Sequence, residues 1–124
     1  MSLAMDLRTF LIAQGYNNVY AGYLPETPDS GINITEYAGR EPSRTLDGKY
    51  SKRPSVQVLV RDPDYNTAKD RIEGIFELLD STVNTMIGSS SIISIFAIQS
   101  PFPTGRDEKN RSLFVVNFKT ETKG

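Results

Sequence analysis

Residues 54–79 read PSVQVLVRDPDYNTAKDRIEGIFELL. In the first part of this stretch Val56, Val58 and Val60 alternate with Gln57, Leu59 and Arg61. A period of two places the three valines on one face of a strand, so that one face is wholly apolar and the other mixed. Asp62-Pro63-Asp64 then ends the alternation. Asp62 suits a helix N-cap, because its carboxylate can accept free first-turn N–H groups. Pro63 suits the first helical position, where its missing N–H costs nothing. Asp64 sits well at the positive end of the helix dipole. Behind them Ala68, Ile72, Ile75, Phe76 and Leu79 recur as one helical stripe, with Lys69, Asp70, Arg71, Glu73 and Glu77 on the other sides. The helix is expected to fade over residues 80–82. A half-apolar strand running straight into an amphipathic helix is the nucleus of a sheet with helices laid on it.

Working towards the N-terminus, residues 39–53 are a long polar connection. Before it, Ile32 and Ile34 alternate with Asn33 and Thr35, and Tyr37 continues a strand. Residues 25–31, PETPDSG, are dense turn chemistry. Val19, Tyr20 and Tyr23 favour another strand. Residues 6–14 predict a short helix through Leu7, Phe10 and Leu11, with Gly15 as its stop. Met1-Ser2-Leu3 reads as an appended leader, with natural sequence expected from near Ala4 or Met5.

Towards the C-terminus, residues 83–90 are polar, with Gly88 and the start of a serine run. Ile92, Ile93, Ile95, Phe96 and Ile98 predict a strand over 91–99. Residues 100–110 read as a loop with two prolines and Gly105. Residues 112–120 predict the last strand, with Phe114, Val116 and Phe118 on one face. The order α-β-β-β-α-β-β predicts a single α+β domain over residues 4–124. Its sheet is expected to be mostly antiparallel, of about five strands, with two helices on one face.

The 124 residues suffice for one core without staples. The chain is 38% hydrophobic with a net charge of -1, which is not the composition of a disordered segment. That charge balance also argues against a dedicated nucleic-acid binder, since phosphate contacts need a basic excess. No apolar run approaches the ~18 residues of a membrane span, and no segment has the order of a signal peptide.

The chain has neither Cys nor His. Thiolate nucleophiles, disulfides and zinc-finger chemistry are thereby excluded, together with the commonest general base and transition-metal ligand. Ser51-Lys52 is a serine–lysine neighbourhood, but it lies in a polar loop, where a solvated surface is the expected reading. No phosphate-binding glycine pattern is present: Gly105-Arg106-Asp107 falls between two expected strands and not before a helix. A metal enzyme would have to rely on carboxylates. Asp62 and Asp64 are explained by the helix cap. Asp107-Glu108 is flanked by Arg106 and Lys109, and Glu121 lies near a terminus where fraying is expected. Asn33-Ile34-Thr35 and Asn110-Arg111-Ser112 match the glycosylation triplet, which without a secretory signal reads as coincidence.

Two polar segments remain. Residues 40–53 carry Arg40, Arg44, Lys49, Lys52 and Arg53 beside Tyr50. Residues 100–111 carry Phe102 between two prolines, followed by Arg106, Asp107 and Arg111. Long connections are uncommon in small domains and are often functional, and aromatic anchors beside mixed charge suit contact surfaces. Residues 40–53 read equally as a solvated surface loop or as a segment that docks a neighbour, and residues 100–111 resemble a contact element more than a catalytic one. The same basic segment leaves open a small module that binds nucleic acid or a peptide. A carboxylate-dependent metal enzyme is the least favoured alternative.

The order of short motifs resembles the minor capsid and tail-completion, or tail-terminator-like, proteins of long-tailed bacteriophages and prophages. The likeness runs through Tyr20-Ala21-Gly22-Tyr23-Leu24-Pro25, Pro28-Asp29, Glu36-Tyr37-Ala38-Gly39 and the strand from Arg53 to Arg61. It continues through the helix at 65–79, Gln99-Ser100-Pro101-Phe102 and Gly105-Arg106-Asp107. The resemblance implies a structural virion protein with no enzymatic activity, no catalytic residues, no cofactor and no small-molecule substrate. It implies a ring of identical subunits, often a hexamer, at the head–tail junction. The partners it implies are the tail-tube protein and a head-completion or connector protein, with assembly in the bacterial cytoplasm.

Overall fold

A computed structural model describes residues 2–37, 39, 43–44 and 50–123, with 43, 44 and 50 described as strand backbone alone. Helix α1 spans Leu3–Ala13 and α2 spans Tyr65–Leu79. Among the described residues there are nine strand segments: β1 Val19–Ala21, β2 Gly31–Tyr37, β3 Ser43–Arg44, β4 Tyr50–Lys52, β5 Ser55–Asp62, β6 Thr82–Ile87, β7 Ser90–Ala97, β8 Phe102–Arg106 and β9 Ser112–Lys123. All belong to one sheet.

The expected α+β class holds, and the expected strand at 54–61 is β5. The expectation of about five strands is too low. Residues 83–90 contain most of β6, residues 100–110 contain β8, and the 40–53 segment contains β3 and β4. Strand β8, which contains Pro103 and Gly105, is recruited by pairing with β9 and not by its own β-propensity, whereas β6 carries four β-branched residues in six. The sheet is mixed, since β1 and β2 run parallel with Val19 opposite Ile32. Every other pairing is antiparallel.

Strand β9 organises the sheet. On one side it pairs with β5 from Ser112 to Lys119 and with β4 at Thr122 and Lys123. On the other it pairs with β8 near Ser112 and with β7 towards Thr122. Register puts Ile32 opposite Val60, Val60 opposite Phe114, and Val58 opposite Val116. One face is thereby continuously apolar, and both helices lie on it. Leu7, Leu11, Ile72, Ile75 and Leu79 join the buried strand residues in one cluster.

Helix α2 begins two residues later than the expected cap. Asp64 is the N-cap, its carboxylate accepting from the Thr67 N–H at 3.0 Å and the Thr67 hydroxyl at 2.6 Å. Asp62 instead accepts the Asp64 N–H at 2.8 Å, so it shapes the turn before the helix. Pro63 therefore precedes the cap. Helix α1 begins earlier than expected: Ser2 caps it by accepting the Met5 N–H, and Leu3 is buried. It ends at Gly15, whose φ of +102° lets the Gly15 and Tyr16 N–H groups return to the Ile12 and Leu11 carbonyls. Gly74 is required by packing, because a Cβ there would lie 2.5 Å from the Tyr16 hydroxyl.

Candidate assembly interface

The residues singled out for an interface fall at opposite ends of β9. At the Lys123 end, β3 pairs with β4 through Arg44 opposite Tyr50, and Lys52 is exposed opposite Thr122. Arg53 is half-buried, its Nε 3.7 Å from a Glu121 oxygen. The Ser51 hydroxyl donates to the other Glu121 oxygen at 2.5 Å. Glu121 is thus a partnered residue of a regular strand, contrary to the fraying expected there. Arg40 and Lys49 lie outside the described residues.

At the Ser112 end, residues 107–110 form a tight turn between β8 and β9. Asp107 accepts the Lys109 N–H at 3.0 Å and the Arg111 N–H at 2.9 Å with one oxygen, and Arg111 Nε at 2.8 Å with the other. Those donors, led by the Arg111 backbone N–H, hold the Asp107 carboxyl below its ordinary range. Arg106 donates to the Asn110 carbonyl. Phe102 stands exposed at the start of β8. The 100–111 segment is therefore a hairpin arm with a locked turn and not an open loop.

Two further parts of this end were not anticipated. Arg61, only 5% exposed, reaches over residues 25–29. Its guanidinium donates to the carbonyls of Pro25 (2.6 Å), Pro28 (2.8 Å) and Asp29 (3.0 Å), with Glu26 at 3.4 Å. Burial lowers the Arg61 pKa and the nearby Arg111 charge acts in the same direction, although an arginine stays charged. Arg111, also buried, donates to the Glu26 carbonyl at 2.7 Å. Two arginines thus tie the 25–29 loop to β5 and to the 107–110 turn. The sequence signal was a lone cation on the mixed face of β5, with nothing to mark its partners.

The remaining surface of note is the sheet face away from the helices. Its central rows are Asn33, Leu59, Val115 and Phe102, and Thr35, Gln57 and Asn117, with the Ile98 N–H donating to the Asn117 carbonyl. Gln57 and Asn117 hydrogen-bond each other at 3.1 Å. No helix covers these rows, and Tyr37, Phe96, Ile98 and Phe102 are exposed.

Chemistry is poorly provided for. Among the described residues no group of three or more His, Cys, Asp or Glu could hold a metal ion. Among the described residues the most deeply buried carboxylate is Asp6, held by the hydroxyls of Ser90 (2.5 Å) and Ser89 (3.1 Å). Those contacts, Ser90 foremost, lower its pKa against the opposing effect of burial. It pins the first turn of α1 to the β6–β7 turn. No described helix is long and apolar enough to cross a membrane.

Residues 4–123 match the family described as bacteriophage tail terminator protein. The chain belongs to the bacteriophage tail terminator family. This family consists of structural virion proteins and is not a family of enzymes. No curated protein sequence matches the chain. Among solved structures, a chain of the virion of a native gene transfer agent particle superposes with a TM-score of 0.63 at 10% identity. The match covers 98% of this chain and 96% of that one. At such identity the likeness establishes a shared fold alone.

Proposed function

We propose that this chain is one subunit of a homo-oligomeric ring, of the hexameric kind, that caps the head-proximal end of a phage tail. The ring stops growth of the tail tube and offers its other surface to a head-completion or connector protein. Assembly takes place in the bacterial cytoplasm and the finished ring sits at the head–tail junction. The observation that carries this reading is the family match across residues 4–123.

The arrangement of the molecule supports it. A ring subunit needs several distinct contact surfaces and no reactive groups. The two ends of β9 provide two such surfaces. One carries Lys52 and Arg53, with Arg40, Arg44, Lys49 and Tyr50 in the same stretch of sequence. The other carries Phe102, Arg106 and Asp107 in an arm that the buried Arg111 braces from behind. In this reading these ends meet the tail tube and the connector.

The test is to mix the purified protein with tail tubes assembled without it and to image the product. A ring-shaped density at one end of each tube is expected. Uncapped tubes at saturating protein would contradict the proposal.

A further inference from the structure

Helix α1 carries two charged residues, Asp6 and Arg8, and neither faces outward. Asp6 is buried against Ser89 and Ser90. Arg8 turns inward to donate to the Val19 carbonyl at 2.7 Å. Met5, Thr9 and Ile12 recur at i, i+4 and i+7 and form the outward stripe. Thr9 satisfies its own hydroxyl on the Met5 carbonyl at 3.1 Å. Met5 is 38% and Ile12 44% exposed. The back of the molecule at α1 is thus an uncharged, largely apolar ridge. The back of α2 differs, since Lys69, Asp70, Glu73 and Glu77 are exposed there.

The front of the molecule, on the far side of the sheet, matches the α1 ridge in chemistry. Its two central rows contain no charged residue and one of them ends in Phe102, 37% exposed; Phe96 and Ile98 stand beside them at 38% and 55% exposure, and the next row carries the exposed Lys119 opposite Phe96. Depletion of charge with enriched aromatics marks the centre of a protein contact, and a charge such as Lys119 suits its rim. The dimensions agree as well. The 11 residues of α1 span ~16 Å and four strands side by side span ~14 Å.

We propose that the uncovered sheet face of one copy seats helix α1 of the next copy. The front and back of this chain are different surfaces on opposite sides, each with an uncharged centre. Joining them is a heterologous, head-to-tail contact, the kind that closes into a ring. The contact takes in Phe102 and leaves free the Lys123 end of β9 and the turn at 107–110. This inference rests on the ring reading and names its subunit junction.

The test uses two blocked variants of the full chain. Ile98→Glu places a charge on the front and Ile12→Glu places one on the back. Each is expected to weaken self-association about thirtyfold or more and to leave monomers by native mass spectrometry where the parent protein forms rings, in solution or on tail tubes. Mixed together, the two variants retain one sound front and one sound back and are expected to stop at a pair. Asp70→Lys on α2 is expected to leave rings intact. Phe96→Lys and Met5→Lys form a second pair should circular dichroism show either first variant unfolded. Rings that persist in folded front- or back-blocked variants, or a mixture that stays monomeric while the parent protein forms rings, would overturn the junction and leave the ring reading standing. A parent protein that forms no ring even on tail tubes would remove both.

Discussion

Asp107 holds Arg111 twice, accepting its backbone N–H at 2.9 Å with one oxygen and its Nε–H at 2.8 Å with the other. The far side of the same guanidinium reaches the Glu26 carbonyl at 2.7 Å. The hairpin turn and the 25–29 loop are therefore joined through one side chain.

Replacing Asp107 with alanine should loosen both segments. Hydrogen exchange is expected to quicken at residues 109–111 and also at residues 26–30. Asp107→Asn keeps acceptor capacity and should have the smaller effect. Faster exchange confined to the turn would show that the two segments are independent.

Arg61 satisfies four carbonyls from a buried position, so its loss strands them. Arg61→Met should lower the unfolding free energy by about 3 kcal/mol in urea denaturation. Arg61→Lys should recover little, because an ammonium group lacks the planar fork that reaches several acceptors at once. Limited proteolysis within residues 25–30 is expected in both. A variant as stable and as resistant as the parent would contradict the assignment.

Gly88 sits at φ +58°, where an added Cβ would lie 2.5 Å from Asp6 Oδ1. Gly88→Ala should cost about 2 kcal/mol through backbone strain and this clash. In an Asp6→Ala background the clash is gone, so the added cost should shrink. A double-mutant cycle measures that coupling, and strict additivity would argue against it.

The pH dependence of stability follows from carboxylates. The folded pKa values of Asp6 and Asp107 lie below their ordinary 3.8. A depressed folded pKa contributes stability that is complete above the unfolded value and is lost as pH falls through the folded one. With no histidine in the chain, Tm should be nearly flat between about pH 5.5 and 8 and should fall below about pH 4. In Asp6→Asn the acid decline should be shallower. A steep change of Tm near neutral pH would contradict this account.

The part of the fold legible in sequence was the part set by local periodicity. The valines of β5, the Ala68–Ile72–Ile75–Leu79 stripe and the alternation in β9 each point to one face without reference to distant residues. Strand β8 was hidden because Pro103 and Gly105 argue against a strand, and it forms by pairing with β9. Strand β6 was hidden because four of its six residues are exposed and its polar and apolar residues do not alternate cleanly. Residues 100–111 read in sequence as a loop, and their hairpin architecture was not legible. Arg61 and Arg111 find partners more than thirty and eighty residues away, and no local pattern encodes such a meeting. The uncharged ridge of α1 depends equally on where Asp6 and Arg8 turn.

The central claim is that this chain ends tail growth. The most direct measurement is the length distribution of tails, by electron microscopy, in a phage or prophage lysate from which this chain has been deleted. The account predicts headless tubes of variable and excessive length, restored to uniform tails joined to heads when the chain is supplied in trans. Tails of normal length attached to heads in the deletion lysate would contradict it.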